Sequence, residues 1–168
     1  MCGIIGGNNY NSSSIKDGLN KILHRGRDNS TIEQVEDFYF AHNRLSIQDL
    51  SEFANQPLWN EDKTVCIVYN GELWGSKLTD KLKSKITIPF RTTSDTEIIL
   101  NSYLEFGVDS FKDLDGMFSF CIIDTRSKTA YLVRDYICEL PFWYSIDKLT
   151  NKLAFCSEKK GLPLSDIY

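Results

Sequence analysis

Short apolar blocks separated by turn residues dominate this chain, and three longer stretches break that rhythm with helical spacing. "CGIIGG" at 2–7 predicts a short buried strand, and "NNYNSSS" behind it is a turn and a source of helix caps. Ser14 is placed to cap a helix over "IKDGLNKILH", where Ile15, Leu19, Ile22 and Leu23 share a face. "RGRDNS" predicts a loop, and "DFYFAHNRLSI" alternates as one or two strands. "LSEFANQPLWNEDK" is a polar connection leading to "TVCIVY", a buried strand. Beyond Asn70-Gly71, "ELWGSKLTDKLKSK" has helical spacing at Leu73, Leu78 and Leu82, although Gly75 works against a helix there. The strongest helix is "SDTEIILNSYLEFG": Ser94 or Asp95 caps it, Ile98, Ile99, Leu100, Tyr103 and Leu104 form its apolar face, and Gly107 stops it. Strand patterns return in "MFSFCIID", "TAYLVRD", "PFWYSI" and "KLAFCSE", parted by "TRSK" and "DKLTN". Strands at both ends with helices between them predict two sheets covered by helices, an α+β fold.

Composition narrows the possibilities. A chain of 168 residues without repeat, linker or low-complexity stretch reads as one domain, 1–168. A net charge of −4 without a Lys/Arg block gives no footprint for nucleic acid. No apolar run reaches the length of a membrane span, and no signal-peptide pattern opens the chain. The five cysteines are odd in number and lack C-x-x-C spacing, and only His24 and His42 could join them. Neither a disulfide framework nor a zinc site is expected, and no other cofactor is called for. Cys66, Cys121 and Cys156 lie in strand-like runs as buried thiols, which points to a reducing, cytoplasmic setting.

Four positions carry candidate chemistry, each with an ordinary alternative. Cys2 is either a small apolar residue opening a buried strand or, once Met1 is removed, a thiol and a free α-amine on one carbon. Those groups titrate near about 8.5 and 8, so each can serve the other as nucleophile and base. Asn70-Gly71 in "YNGEL" is either a hairpin turn or a pair of donors, the Asn70 amide and the Gly71 N–H, able to stabilise an oxyanion. Arg44 is either a surface ion-pair partner or a bidentate grip for a carboxylate. Asp95 is either a helix cap or, with Glu72, half of a site for an amine. Arg44, Glu72 and Asp95 together could hold a free amino acid by both charged ends.

"MCGIIG", "HRGRD", "HNRLSIQDLS", "NQPLWNED", "YNGEL", "TTSDTEIIL", "LDGMFSFCIID" and "RDYICELPFWY" follow one another over nearly the whole chain. In that order they resemble class II glutamine amidotransferase domains, above all the glutaminase half of asparagine synthetases. The resemblance implies an N-terminal-nucleophile hydrolase fold, a four-layer αββα sandwich with two antiparallel sheets between helical layers. It implies that Cys2, as the mature first residue, attacks the side-chain amide of L-glutamine, releasing ammonia from a glutamyl thioester that water then hydrolyses. By the same resemblance Asn70 and Gly71 take the oxyanion-hole positions. Arg44 takes that of the substrate carboxylate ligand, Glu72 and Asp95 those of the α-amine ligands, and backbone near Leu45 and Ile47 lines the pocket. No metal or organic cofactor is implied for this half-reaction.

Three departures from the family pattern bear on the reading. Arg27 stands in "HRGRD" where the family usually has proline, and Cys138 and Leu140 stand where it usually has glycine and lysine. The chain also stops soon after "FCSEKKGL", without a phosphate-binding Gly-rich sequence, where an asparagine synthetase continues into an ATP-using domain. The leading expectation is therefore a stand-alone glutaminase subunit supplying ammonia to a separate ATP-dependent synthetase. The rivals are an autonomous amidase on another small amide and a non-catalytic glutamine-binding or regulatory subunit. For the leading reading, "YICELPFWY" is the expected docking surface, with Leu140 buried against the partner.

Overall fold

A computed structural model describes residues 1–163, so positions 164–168 of the expected 1–168 domain lie outside the described residues. Among the described residues, nine strands, three α-helices and several 3-10 turns form two compact units. One comprises the start and end of the chain, up to Leu45 and from Pro141, and the other runs from Ser46 to Leu140.

The first unit holds β1 (Gly3–Asn8), α1 (Ser12–Lys21), β2 (Asn29–Val35), β3 (Phe38–Arg44), β8 (Trp143–Asp147) and β9 (Lys152–Cys156). Its strands make an antiparallel sheet in the order β2-β3-β1-β9-β8, so the first strand of the chain lies at its centre. Ile5, Ala41, Ala154 and Cys156 pack with Ile15, Leu19 and Ile22 of the α1 segment. Burial of this apolar set is what holds the helix, as its polar face offers little. The cap is Asn11, whose side chain accepts the Ser14 N–H at 2.8 Å. Ser14 is thus the donor rather than the cap, and Leu23 of the expected apolar face is exposed in a 3-10 turn. The strand β2 falls in part on the loop expected at "RGRDNS", where pairing with β3 from Asn29↔Arg44 to Val35↔Phe38 overrides a weak local pattern.

The second unit holds β4 (Leu58–Trp59), β5 (Val65–Leu73), α2 (Lys77–Lys83), α3 (Asp95–Phe106), β6 (Gly116–Asp124) and β7 (Thr129–Arg134). Its antiparallel sheet runs β4-β5-β6-β7. Alternation divides the sheet into two faces. Val65, Ile67, Tyr69 and Leu73 with Phe118, Phe120 and Ile122 pack under Ile98, Ile99, Leu100 and Tyr103 of α3. Cys66, Val68 and Asn70 with Ser119 and Cys121 occupy the opposite face, fully buried.

Two expectations need correction here. Leu73 is the last residue of β5, not the first of a helix, and α2 begins only after Ser76, whose hydroxyl accepts the Thr79 N–H at 3.3 Å. Leu78 of that expected apolar set is exposed, and Leu82 is buried. Leu140 is 3% exposed in this chain, so it is already covered and does not await a partner. Its carbonyl accepts Arg134 Nη2 at 2.6 Å. Trp143 and Tyr144, by contrast, are exposed on the edge strand β8.

Candidate active site

In the first unit the candidate nucleophile is set by strand pairing. Gly3 of β1 opposes Asn43 of β3, which brings Cys2 to the residue that follows β3. The Cys2 Sγ accepts the Leu45 N–H at 3.4 Å and lies 3.7 Å from the Leu45 carbonyl. Burial pushes the Cys2 thiol above its ordinary value. The Leu45 N–H, the N-terminal ammonium, Arg44 and Arg25 act the other way by favouring a thiolate. Arg44, at the end of β3, is 7% exposed, so the surface ion pair is not its setting.

The "HRGRD" segment packs against this corner. Gly26 lies so close to β3 that a Cβ would meet the Asn43 oxygen at 2.5 Å, and the Asp28 N–H donates to the Arg44 carbonyl at 3.0 Å. Arg25, which the sequence reading left unassigned, is the residue that grips Cys2. Its Nε donates to the Cys2 carbonyl at 2.8 Å and its Nη1 reaches Glu158 at 3.1 Å, while Nη2 has no partner among the described residues. Burial alone would raise the Glu158 carboxyl, but Lys160, Arg25 and His24 hold it down to about 2. The anion that orients Arg25 therefore stays charged at neutral pH. An open cleft of about 490 Å³ runs past Met1, Arg25, Arg27 and Leu45. Arg27 adds a cation to that cleft in place of the family's proline.

In the second unit Asn70, Gly71 and Glu72 are consecutive residues of β5, paired with Ser119, Phe118 and Met117 of β6. The Asn-Gly pair is therefore within a ladder and not at a hairpin. A Cβ on Gly71 would run into the Met117 carbonyl oxygen and lie 2.7 Å from Phe118 Cα, so only glycine lets β6 approach this closely. Asn70 is fully buried, yet neither its Nδ2 nor its Oδ1 has a hydrogen-bond partner among the described residues. Glu72 is exposed two residues further on the same face, about 6.8 Å along the strand.

Asp95 opens α3 without capping it. Its Oδ2 accepts the Leu73 N–H at 2.8 Å, and the Gln48 side chain also bonds to it. Ser94 holds the cap position, but its hydroxyl pairs with Thr92 Oγ1 at 2.8 Å. Burial raises the Asp95 carboxyl and the Glu72 charge raises it further, against the lowering effect of Leu73, Gln48 and Lys83. Gln48 is a second residue the sequence reading missed. Asp49 next to it accepts the Thr93 N–H at 2.8 Å and ties this loop to the start of α3. Ile47 in the same loop is exposed.

Among the described residues no cluster of His, Cys, Asp or Glu is arranged to hold a metal ion, and no helix is long and apolar enough to cross a membrane. The structure thus brings Cys2, Arg44 and Leu45 together in one unit, and Asn70, Gly71, Glu72 and Asp95 together in the other.

Comparison with known proteins identifies the family of the chain. The glutamine amidotransferase domain pattern matches residues 1–166. Asparagine synthetase [glutamine-hydrolyzing] 2 of Arabidopsis thaliana is 41% identical over 96% of this chain and 28% of its own length. A putative asparagine synthetase [glutamine-hydrolyzing] 2 of Methanocaldococcus jannaschii is 36% identical over 96% of this chain and 35% of its own. The chain therefore spans only about a third of such relatives, or less. Among solved structures, glutamine phosphoribosylpyrophosphate amidotransferase of B. subtilis, complexed with ADP and GMP, matches with a TM-score of 0.77. It covers 95% of this chain and 42% of that one at 18% identity, a likeness that shows the fold.

Proposed function

This chain belongs to the class II glutamine amidotransferases, with their N-terminal-nucleophile fold, and from that premise we propose that it hydrolyses the side-chain amide of glutamine with Cys2 as nucleophile. Removal of Met1 frees the Cys2 α-amine. That amine takes the thiol proton as Sγ bonds to the amide carbon, and the carbonyl oxygen becomes an oxyanion. The Asn70 amide and the Gly71 N–H donate to it. The amine then returns its proton to the departing nitrogen, ammonia leaves and a thioester remains. Water, giving its proton to the same amine, attacks the thioester; glutamate leaves and the thiol is restored. Arg44 binds the substrate carboxylate, and Glu72 and Asp95 bind its α-amine, with Gln48 orienting Asp95 and Arg25 orienting Cys2.

The observation that carries this reading is the Asn70 amide. Leaving a buried amide unbonded costs on the order of 1–3 kcal/mol, and a fold retains that cost where a ligand supplies the missing partner. Its spacing from Glu72, about 6.8 Å, suits a substrate with an amide at one end and an ammonium at the other. The ammonia goes, on this proposal, to an ATP-dependent synthetase on a separate chain, in the cytoplasm. Three fully buried free thiols, Cys66, Cys121 and Cys156, support a reducing setting.

The test is glutamate release from glutamine by the purified chain and by Cys2→Ala, with intact mass measured on both. Turnover in a chain lacking Met1, and none in the folded Cys2→Ala variant, is expected. Full turnover by Cys2→Ala, or by a chain that retains Met1 throughout, refutes the nucleophile.

A further inference from the structure

The buried face of β5 and β6 holds a second polar group that the reaction above does not use. Ser119 is fully buried, and its Oγ has no hydrogen-bond partner among the described residues. In the antiparallel register it stands directly opposite Asn70. Residues opposed in this way project from the same face with Cβ atoms about 4.5–5.5 Å apart. On its other side Ser119 opposes Arg134, but Arg134 Nη2 is turned to the carbonyls of Cys138 and Leu140, at 2.9 and 2.6 Å. The other buried positions of the row, Val68, Cys121 and Cys66, are apolar or thiol, and Glu72 lies exposed beyond Asn70. Two polar side chains without a partner among the described residues thus sit as a cross-strand pair among buried apolar and thiol groups.

We infer that Ser119 is a positioning residue for Asn70, its hydroxyl donating to Asn70 Oδ1 when substrate is bound and so turning Nδ2 toward the oxyanion. The inference rests on the functional reading given above. An amide presents a donor at one end and an acceptor at the other, and only the donor end stabilises an oxyanion. Nothing along this buried face other than Ser119 offers Oδ1 a hydroxyl proton. Neither group has a partner among the described residues, and on this inference a side-chain rotation joins them. A hydroxyl suits the task because it rotates without carrying charge into a buried site. An alanine here would leave Asn70 free to present either end.

The experiment is a double-mutant cycle on glutaminase turnover with Ser119→Ala, Asn70→Ala and the pair, each checked for fold by circular dichroism. Ser119→Ala is expected to lower kcat on the order of tenfold with KM little changed, and to have no further effect in the Asn70→Ala background. Ser119→Thr, which keeps the hydroxyl, restores most of kcat and stands as the second variant if Ser119→Ala fails to fold. Unchanged kcat in Ser119→Ala, or the same loss with and without Asn70, overturns the positioning role alone. Unchanged kcat in Asn70→Ala overturns the oxyanion assignment and this inference with it.

Discussion

Replacing Asp95 by asparagine should separate stability from binding, because the two depend on different atoms of one carboxylate. Oδ2 accepts the Leu73 N–H at 2.8 Å, and an asparagine Oδ1 can keep that bond. Alanine cannot, and the orphaned N–H at the end of β5 would cost about 1–3 kcal/mol. The charge itself works against the fold. Burial and Glu72 raise the carboxyl, so the native state binds the proton more readily than the unfolded chain does. The start of α3 favours an anion by about 0.3–1 kcal/mol, yet the net direction is still upward. Stability contributed by Asp95 is therefore greatest at low pH and declines as pH rises through the unfolded value near 3.8 and on to the native one. At pH 7 the expected order of stability is Asp95→Asn at or above wild type, and wild type above Asp95→Ala. Below pH 3.8 the first gap closes. Glutamine binding follows another order, since both variants lose the anion that the proposed function sets against the substrate ammonium. Charge-assisted hydrogen bonds contribute about 1.5–3 kcal/mol, equivalent to a rise in KM of roughly 10- to 150-fold. Urea unfolding at several pH values, alongside glutaminase kinetics, reads both. Asp95→Asn as unstable as Asp95→Ala at pH 7, or with the wild-type KM, would refute the reasoning.

Gly71→Ala should destabilise the second unit by about 1–3 kcal/mol, because the obstacle is β6 backbone, which cannot rotate away; an unchanged urea midpoint would show that the strands can spread. Cys138→Gly should raise the melting temperature slightly. Cys138 adopts φ 61°, a left-handed conformation costing a side-chain-bearing residue about 1–2 kcal/mol, offset in part by the about 0.5–1 kcal/mol of extra chain freedom glycine loses. A lower melting temperature would mean that the exposed thiol makes a contact the strain argument omits.

What the sequence disclosed, and what it hid, divides along local and distant causes. The helix α3 and the buried strands β1, β5 and β6 announce themselves because their apolar spacing is a local property. The strand β2 does not, since it is a polar edge strand whose state comes from pairing with β3. Asn70-Gly71 looks like a turn because those residues tolerate turns. It is strand because β6, some fifty positions later in the chain, pairs across it and needs the space a missing Cβ provides. Asp95 looks like a cap for its own helix, but its acceptor oxygen serves Leu73, which sequence spacing cannot reveal. The motifs that carry the family resemblance named the candidate residues. Arg25 and Gln48 emerged only from distances, as partners of Cys2 and Asp95.

The central place of β1 in its sheet has a consequence for how the protein is made. Ile5 pairs with Cys156, so β1 leaves the ribosome and then waits for a neighbour about 150 residues behind it. At about 5–20 residues per second the delay is roughly 8–30 s. The unit from Ser46 to Leu140 is continuous and can close in that interval without either end of the chain. Through all of it Met1 and Cys2 stay in the open, attached to an unfinished sheet. That interval is when an aminopeptidase meets them most easily, so on the proposed mechanism the Cys2 amine is unmasked during synthesis, before the fold that would use it exists.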